Sequence, residues 1–270
     1  MREFEPRVFF AFKGEADPII SDLLVNNDPV WNALNNLKDA VRGHIKPNVP
    51  DFIKPFVPTQ APVVILPNGW LTDGYELNIG AKGKIEIFVD GELIEEASFI
   101  AAGVTFADRD IEIRRGVVIE SGAFVKGPTI VAERTEVRQG AYIRGDCYFG
   151  RGCVVGHTTE VKHSIFLDGA KAGHFAYIGD SILGNCVNLG AGTKLANLRL
   201  DGKNIVLKCG EDRIETNRRK LGAILGDSVQ TGCNSVTNPG TILGMNSMVA
   251  PNATVLPGVY PEKTVIMGCL

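Results

Sequence analysis

Apolar residues recur every six positions through the second half of the chain. They stand at Ile113, Ile119, Val125, Val131, Val137, Ile143, Phe149, Val155, Val161 and Leu167. A small or apolar residue follows four positions after each, as at Ala123 and Cys153, until Lys171 interrupts the pattern. The register shifts by one residue at Ile178 and Leu183, and it continues at Leu189, Leu195 and, after a break, from Leu225 to Val255.

A six-residue period fits neither the 3.6-residue period of an α-helix nor the two-residue period of a strand with one buried face. It predicts an all-β fold, a left-handed parallel β-helix in which three short strands and three turns form one coil of about 18 residues. The coils are predicted to run from about Asp110 to Val259.

Residues 1–98 lack the repeat. Asp28 as N-cap and Pro29 as first helical residue predict an amphipathic helix that continues to Val41. Val63–Leu66 and Ile85–Val89 have the composition of strands, and Asp90-Gly91 marks a hairpin turn after the second of them. We expect residues 1–98 to form a small α+β cap that seals the first coil or docks another protein, and residues 99–270 to form the β-helix.

A basic segment interrupts the repeat between residues 203 and 221. From Lys203 to Lys220 there are six basic residues: Lys203, Lys208, Arg213, Arg218, Arg219 and Lys220. Long loops in compact domains are usually functional or mobile. This segment is predicted to be a solvated loop or a flap that contacts a phosphate-bearing ligand.

The composition narrows the class of protein. The 270 residues include 31 glycines and only 7% aromatic residues, a balance that suits narrow coils. A net charge of −3 predicts no general affinity for nucleic acid or membranes. We find no long apolar run and no secretory signal, so a cytoplasmic protein with reduced thiols is expected. The six cysteines contain no C-x-x-C pair, and Cys147 and Cys153 fall at inward positions.

Two cations are predicted to stack on one face of the β-helix. Arg144 and Lys162 are one coil apart, and each directly follows an inward aliphatic residue. Their side chains should therefore lie on adjacent strands about 4.8 Å apart. Two cations at that distance repel each other unless a bound anion such as phosphate compensates them, or unless both extend into water near surface acids.

The histidines offer two further kinds of chemistry. His174 falls at an outward position, where it could accept a proton at neutral pH or serve as an ordinary surface imidazole. His157 lies 17 residues earlier, close to one coil, so a metal site is conceivable. The histidine spacing does not match the three-histidine pattern of β-helix carbonic anhydrases, and no metal site is predicted.

Two motifs carry a resemblance to a known family. They are K-A-G-H-F-A-Y-I-G-D at residues 171–180 and V-N-L-G-A-G-T at residues 187–193, accompanied by T-E-V-K at 159–162 and by Asn197. Roughly residues 110–260 resemble the C-terminal acetyltransferase domain of bifunctional UDP-N-acetylglucosamine pyrophosphorylase/glucosamine-1-phosphate acetyltransferase. The resemblance implies a homotrimer in which acetyl-CoA and a sugar phosphate meet between subunits.

The resemblance also implies roles for individual residues. His174 would be the general base. The substrate-binding residues would be Arg144 and Lys162 for the phosphate, Tyr177, Asn188 and Asn197 for the sugar, and Lys203 as a further cation. Acetyl-CoA would bind along Ala191, Cys233 and Ala250.

The chain departs from the family pattern at several positions. Leu198 replaces a tyrosine of the bacterial members, the segment from Asn204 to Lys220 is additional, and Cys233 and Pro251 stand where small residues are expected. No glycine-rich nucleotidylyltransferase element occurs before residue 100, so no pyrophosphorylase activity is expected. The sequence thus predicts an acetyl-CoA-dependent N-acyltransferase that acts on an amino-sugar phosphate in nucleotide-sugar metabolism. The alternative is a non-catalytic trimeric scaffold or regulatory module.

Overall fold

A computed structural model describes residues 4–12, 17–25, 27–81 and 84–268. Within them, three sheets wind into a parallel β-helix, and the predicted fold class is confirmed. The helices lie near the N-terminus: α1 is Pro6–Phe9, α2 is Pro18–Ile20, a π-helix spans Ser21–Val25, and α3 is Asn32–His44. None of the helices in the described ranges is long and apolar enough to cross a membrane.

The first sheet is called face 1. Its first strands pair antiparallel and the following strands pair parallel. Its strands are β2 (Gly69–Leu71), β1 (Val63–Leu66), β6 (Ser98–Ile100), β9 (Val118–Ile119), β12 (Glu136–Val137), β15 (Val154–His157), β18 (Lys171–His174), β21 (Asn188–Leu189), β26 (Gln230–Thr231), β29 (Met248–Val249) and β32 (Val265–Ile266), in spatial order.

The other two faces are parallel throughout. Face 2 has β7 (Thr105–Phe106), β10 (Phe124–Val125), β13 (Tyr142–Ile143), β16 (Glu160–Lys162), β19 (Tyr177–Gly179), β22 (Lys194–Leu195), β27 (Val236–Thr237) and β30 (Thr254–Val255). Face 3 has β8 (Ile111–Ile113), β11 (Thr129–Val131), β14 (Cys147–Phe149), β17 (Ser164–Phe166), β20 (Ile182–Leu183), β25 (Ala223–Leu225), β28 (Thr241–Leu243) and β31 (Gly258–Tyr260).

Inward residues stack in columns along the axis of the β-helix. Val125, Ile143 and Val161 pair in register on face 2, and all three are buried. Cys147 and Cys153 are also buried in this interior, as predicted from the repeat. Burial raises the pKa of the Cys147 thiol to about 12, because the thiolate would lose its hydration there. A thiol at this inward position therefore stays protonated at neutral pH.

The register shift begins at Phe166, two repeats earlier than the sequence pattern indicates. Phe149 pairs with Phe166, 17 residues later, so Phe166 points inward and Leu167 packs outside the coil. The small inward residue after it is Ala170, which is buried, so the expected interruption at Lys171 is wrong. The step from Val161 to Phe166 is thus five residues long, and the step from Ile178 to Leu183 repeats it one coil later.

The N-terminal part covers a side of the β-helix as well as its end. Outward residues of face 3, such as Ile130 and Tyr148, pack in one buried cluster with Leu34 and Leu37 of α3. Val63, on β1, instead joins the interior cluster of the coil and closes its first turn. The prediction of an end cap alone is therefore incomplete. The parallel coil strands also begin at Ser98, earlier than Asp110, and they end at Ile266, beyond Val259.

Helix α3 starts later than predicted. Its first residue is Asn32 and its N-cap position is Trp31, so Asp28 and Pro29 lie in the preceding turn. The backbone N–H of Val30 donates to the carbonyl of Phe4 at 2.8 Å, and the Phe4 and Trp31 rings lie 5.1 Å apart. These contacts hold the segment outside the helix.

The remaining strands form two small antiparallel sheets. One has β3 (Tyr75–Ile79), β4 (Ile85–Val89) and β5 (Glu92–Leu93), and Asp90-Gly91 makes the predicted hairpin turn between the last two. The other is a hairpin of β23 (Val206–Cys209) and β24 (Asp212–Glu215). The basic segment 203–221 therefore contains a folded hairpin, and the buried Leu207 packs it over face 3.

Candidate functional site

Arg144 and Lys162 lie side by side on face 2, as their spacing predicts. Tyr142 and Ile143 pair with Glu160 and Val161, and the Arg144 N–H donates to the Val161 carbonyl at 2.9 Å. Each cation also faces a carboxylate of the chain. A guanidinium nitrogen of Arg144 lies 2.7 Å from Glu160 Oε1, and Lys162 Nζ lies 3.9 Å from Asp180 Oδ2. Nearby acids therefore compensate both charges in this state, which was one of the two expected solutions.

The buried carboxylate of Asp180 connects the predicted residues on this face. Its Oδ2 accepts a hydrogen bond from Asn197 Nδ2 at 2.6 Å, and Asn197 Oδ1 accepts one from the Tyr177 hydroxyl at 3.3 Å. Asp180 lies in the five-residue step between Ile178 and Leu183. Its backbone N–H donates to the Lys162 carbonyl at 3.0 Å, which holds Asp180 beside Lys162. The sequence motif contained Asp180, but no role was predicted for it.

Two further cations join this group of residues from the basic segment. A guanidinium nitrogen of Arg218 lies 3.8 Å from Asp180 Oδ1, and Lys220 is close enough to Lys162 to affect its ionisation. Lys220 is held there by an antiparallel bridge to Leu198, the position that departs from the family pattern. Lys203 makes no described contact with this cluster, and its backbone N–H donates to Asp201 Oδ1 at 3.2 Å.

The electrostatics of this cluster reflect partial burial. Loss of hydration lowers the pKa of Lys162, the Asp180 carboxylate opposes that effect, and Lys220 adds to it. Burial also lowers the pKa of Arg218 and raises that of Tyr177. The hydrogen bond that Arg144 donates to Glu160 raises the pKa of Arg144. We call these residues the face-2 cluster: Arg144, Glu160, Lys162, Tyr177, Asp180, Asn197, Arg218 and Lys220.

The other predicted residues lie on face 1, around a groove of about 490 Å³. His174 is the last residue of β18, and its exposed side chain lines the groove with Asn188, Ala191 and Cys233. Gly173 and Gly190 line the groove. They belong to a column of small residues on face 1 that continues with Gly232 and Ala250 at the equivalent positions of the next coils. Ala250 is half-buried and lies at the C-terminal end of that column.

A single corner separates the groove from the face-2 cluster. Phe175 and Ala176 make this corner between His174 and Tyr177, and Phe175 has a positive φ of 34°. The predicted site residues therefore form two groups on adjoining faces, with Asn188 beside His174 and Asn197 beside Tyr177. The spacing of 12 residues between Lys162 and His174, which is two steps of the repeat, is consistent with this division and places the two residues on different faces.

His174 lies two positions after the inward Ala172, whereas Lys162 lies one position after the inward Val161. The imidazole of His157 is its neighbour on the preceding coil.

Within the described part of the chain, no three His, Cys, Asp or Glu side chains are grouped so that they could bind a metal ion. Cys186 and Cys233 are exposed thiols, and Cys269 lies outside the described residues.

A larger cleft of about 1100 Å³ lies between the N-terminal part and the coil. Arg114 lies in this cleft and is ion-paired with Asp17 and with Glu112. These acids raise the pKa of Arg114 despite its burial. The cleft contains none of the predicted site residues.

Comparisons with known proteins identify sequences that are similar to the β-helix of this chain. Residues 125–243 match the family model of the GMPPB C-terminal domain. A bifunctional sugar-1-phosphate nucleotidylyltransferase/acetyltransferase of Sulfurisphaera tokodaii is 42% identical over 92 residues, which are 34% of this chain and 23% of that protein. The bifunctional protein GlmU of Methanococcus aeolicus is 39% identical over 92 residues, and that of Streptococcus uberis is 32% identical over 99 residues.

These alignments cover 22% of the M. aeolicus protein and 18% of the S. uberis protein, so the chain spans about a quarter or less of the relatives that it matches. The match to the GMPPB C-terminal domain spans the coils that carry most of the predicted residues, from Arg144 to Cys233. The matches confirm the resemblance indicated by the two motifs, which is to the hexapeptide-repeat acetyltransferase domain of GlmU-type proteins. The β-helix is also similar to the GMPPB C-terminal domain.

Proposed function

We propose that this protein transfers the acetyl group of acetyl-CoA to the amine of an amino-sugar phosphate such as glucosamine-1-phosphate. One observation carries the proposal. A cationic cluster with sugar-type hydrogen-bonding groups lies one corner away from a groove that contains an exposed histidine and a column of small residues. The similarity to a protein named as a bifunctional sugar-1-phosphate nucleotidylyltransferase/acetyltransferase supports it.

The face-2 cluster suits a phosphate. Its four cations exceed its two carboxylates, Glu160 and Asp180, by two positive charges, which matches a phosphate dianion. Lys162 and Arg218 are partly desolvated, and charged hydrogen bonds are stronger in such surroundings than in water. We propose that Arg144 and Lys162 hold the phosphate, while Tyr177 and Asn197 contact the sugar. Lys203 remains a predicted additional contact.

The groove on face 1 suits the acyl donor. Gly173 borders open space, since nothing lies within 4 Å of the position that a Cβ would take. We propose that the pantetheine arm of coenzyme A lies there beside Ala191 and Cys233 and that the coenzyme extends along face 1 toward Ala250. We propose that the sugar nitrogen attacks the thioester carbon, that His174 accepts the amine proton, and that this proton then goes to the departing sulfur of coenzyme A. A backbone N–H near Ala191 would stabilise the oxyanion, and Asn188 would contact the sugar.

We further propose that the active form is a homotrimer. Face 3 is covered by the chain's own N-terminal part, so faces 1 and 2 remain for contact with other copies. Because the two groups of residues lie on adjoining faces, a neighbouring copy can bring its face-2 cluster opposite His174. The site would then be shared between chains. The cytoplasmic location stays a prediction.

Replacement of His174 tests the chemistry. Acetyl transfer to glucosamine-1-phosphate is measured as thiol release, for wild type, His174→Ala and His157→Ala. His157 is the matched control, because it is an exposed imidazole on the adjacent strand. We expect His174→Ala to lower kcat by about 10²- to 10⁴-fold and His157→Ala to change it by less than about threefold. Equal losses in both variants would overturn the general-base role.

Mixed oligomers test the shared site. His174→Ala and Lys162→Met chains, each inactive alone, are unfolded together and refolded at equal concentrations. If each site takes His174 from one chain and Lys162 from another, about a quarter of the sites regain both residues. Oligomers of three chains that recover no activity on mixing would contradict sharing.

A further inference from the structure

Aromatic rings form a ladder on the water-exposed side of face 2. Phe124 and Tyr142 occupy equivalent outward positions on successive coils, and their ring centroids lie 5.4 Å apart. Phe56, from the irregular segment before β1, extends the ladder with its ring 6.2 Å from that of Phe124. Phe56 is 69% exposed and Tyr142 is 45% exposed. These three rings are called the aromatic ladder, and the proposed acyl transfer gives them no role.

A column of cations runs beside the aromatic ladder. Lys126 pairs with Arg144, and Arg144 with Lys162, because each follows an inward residue on successive strands. The Arg144 guanidinium carbon lies 5.9 Å from the centroid of the Tyr142 ring, so the column and the ladder are in contact. Within the described ranges, no carboxylate lies within 4.0 Å of Lys126 Nζ, whereas Glu160 and Asp180 face the other two cations.

The combination favours a ligand that has both a flat ring and several phosphates. Two coil steps separate Lys162 from Lys126, a distance of about 10 Å. A single sugar phosphate bound at Arg144 and Lys162 would not contact Lys126, Phe124 or Phe56. Contact with a second copy of the chain would cover the rings, but lysine is depleted from the cores of protein interfaces. Stacking of a base on exposed rings beside cations accounts for all of these residues.

We propose that face 2 binds a nucleoside diphosphate, so that the acyl acceptor is a nucleotide-linked amino sugar. The base stacks on the aromatic ladder, the diphosphate lies along Lys126, Arg144 and Lys162, and the sugar reaches Tyr177. This inference rests on the proposed function, and it specifies the substrate class of the same site.

Titration calorimetry with the full chain tests the inference. GDP and UDP are the probes, and inorganic pyrophosphate supplies the same charge without a base. We expect both nucleotides to bind about tenfold or more tightly than pyrophosphate, since stacking on an aromatic side chain contributes about that much per base. Tyr142→Leu and Phe56→Leu should each reduce this advantage several-fold and leave pyrophosphate binding unchanged. Lys126→Met should weaken all three ligands.

Trp70→Leu is the control for loss of an exposed ring, since Trp70 lies on β2 at the antiparallel edge of face 1. It should leave all three affinities unchanged. Nucleotides that bind no more tightly than pyrophosphate would overturn the inference, and wild-type acetylation of glucosamine-1-phosphate would show that the proposed function survives. A change in oligomer mass in Tyr142→Leu, with an unchanged nucleotide-to-pyrophosphate ratio, would identify the ladder as a contact between copies and also overturn the inference.

Discussion

Asp180→Asn removes one charge from the centre of the face-2 cluster and changes almost no volume. The Asp180 side chain is 7% exposed, and its oxygens lie 3.9 Å from Lys162 Nζ and 3.8 Å from an Arg218 nitrogen. An asparagine oxygen can still accept the hydrogen bond from Asn197, so the substitution isolates the charge. It leaves two partly buried cations beside each other without their shared anion.

The expected loss of stability follows from these distances and exposures. Removing one partner of a buried ion pair typically costs about 3–5 kcal/mol. Lys162 is 26% exposed, so solvent screens part of its interaction with Asp180. We therefore expect Asp180→Asn to lower the free energy of unfolding by about 2–4 kcal/mol. It should also lower the pKa of Lys162 further, because in the wild-type protein the Asp180 carboxylate opposes the effect of burial.

Urea unfolding at neutral pH measures this loss, and Glu160→Gln is the matched control. Glu160 pairs with Arg144 at 2.7 Å, but both side chains are more than a third exposed. Exposed pairs contribute about 0–1 kcal/mol, so the control should stay within that range. If Asp180→Asn costs no more than Glu160→Gln, Asp180 does not hold the cluster together.

Three further predictions concern the groove, the coil packing and the phosphate site. Alkylation at pH 8, followed by mass spectrometry, should label Cys233 and Cys186, and acetyl-CoA should protect Cys233 alone; equal labelling with and without acetyl-CoA would contradict the groove assignment. Gly156→Ala should destabilise the protein by about 1–3 kcal/mol or more in urea, because its Cβ would lie 1.8 Å from the Gly173 carbonyl oxygen. Gly173→Ala should have little effect, since nothing lies within 4 Å of its Cβ, and similar losses would contradict the packing. Because the pKa of Lys162 lies below the ordinary lysine value of about 10.4, the affinity for glucosamine-1-phosphate should fall as the pH rises through that lowered pKa. The Lys162→Arg variant should still bind the sugar phosphate in this pH range. Identical pH profiles of the two proteins would refute the assignment of Lys162 to the phosphate.

The repeat determined most of the fold, because an inward position in a narrow coil tolerates few residue types. The stacking of Arg144 and Lys162 followed from the same period. The shift at Phe166 was missed because Phe166 and Leu167 are both apolar, so either residue could continue the pattern. Ala170 and Ala172 were the signal that could have resolved it, since small inward residues follow Phe166 at the usual spacing.

The covering of face 3 by the N-terminal part could also be predicted from the sequence. Outward positions of face 3 are mostly aliphatic, as at Ile130, Ile165 and Ile182, whereas those of face 2 include the charged Glu160 and Lys194 as well as the aromatic Phe124 and Tyr142. That contrast indicates a covering layer on face 3. The approach of Arg218 and Lys220 to the face-2 cluster could not be predicted from the sequence. It depends on how the hairpin of β23 and β24 folds back onto the coil, and the spacing of charged residues in the segment does not specify that fold.

Mass spectrometry of the reaction mixture tests the central claim most directly. The wild-type chain is incubated with acetyl-CoA and glucosamine-1-phosphate, and the product mass and the released thiol are measured together. The account predicts an N-acetylated sugar phosphate formed in equal amount with free coenzyme A, and its loss in His174→Ala. A wild-type protein that forms no product, and that neither ligand stabilises against heat, would contradict the account and favour the non-catalytic scaffold.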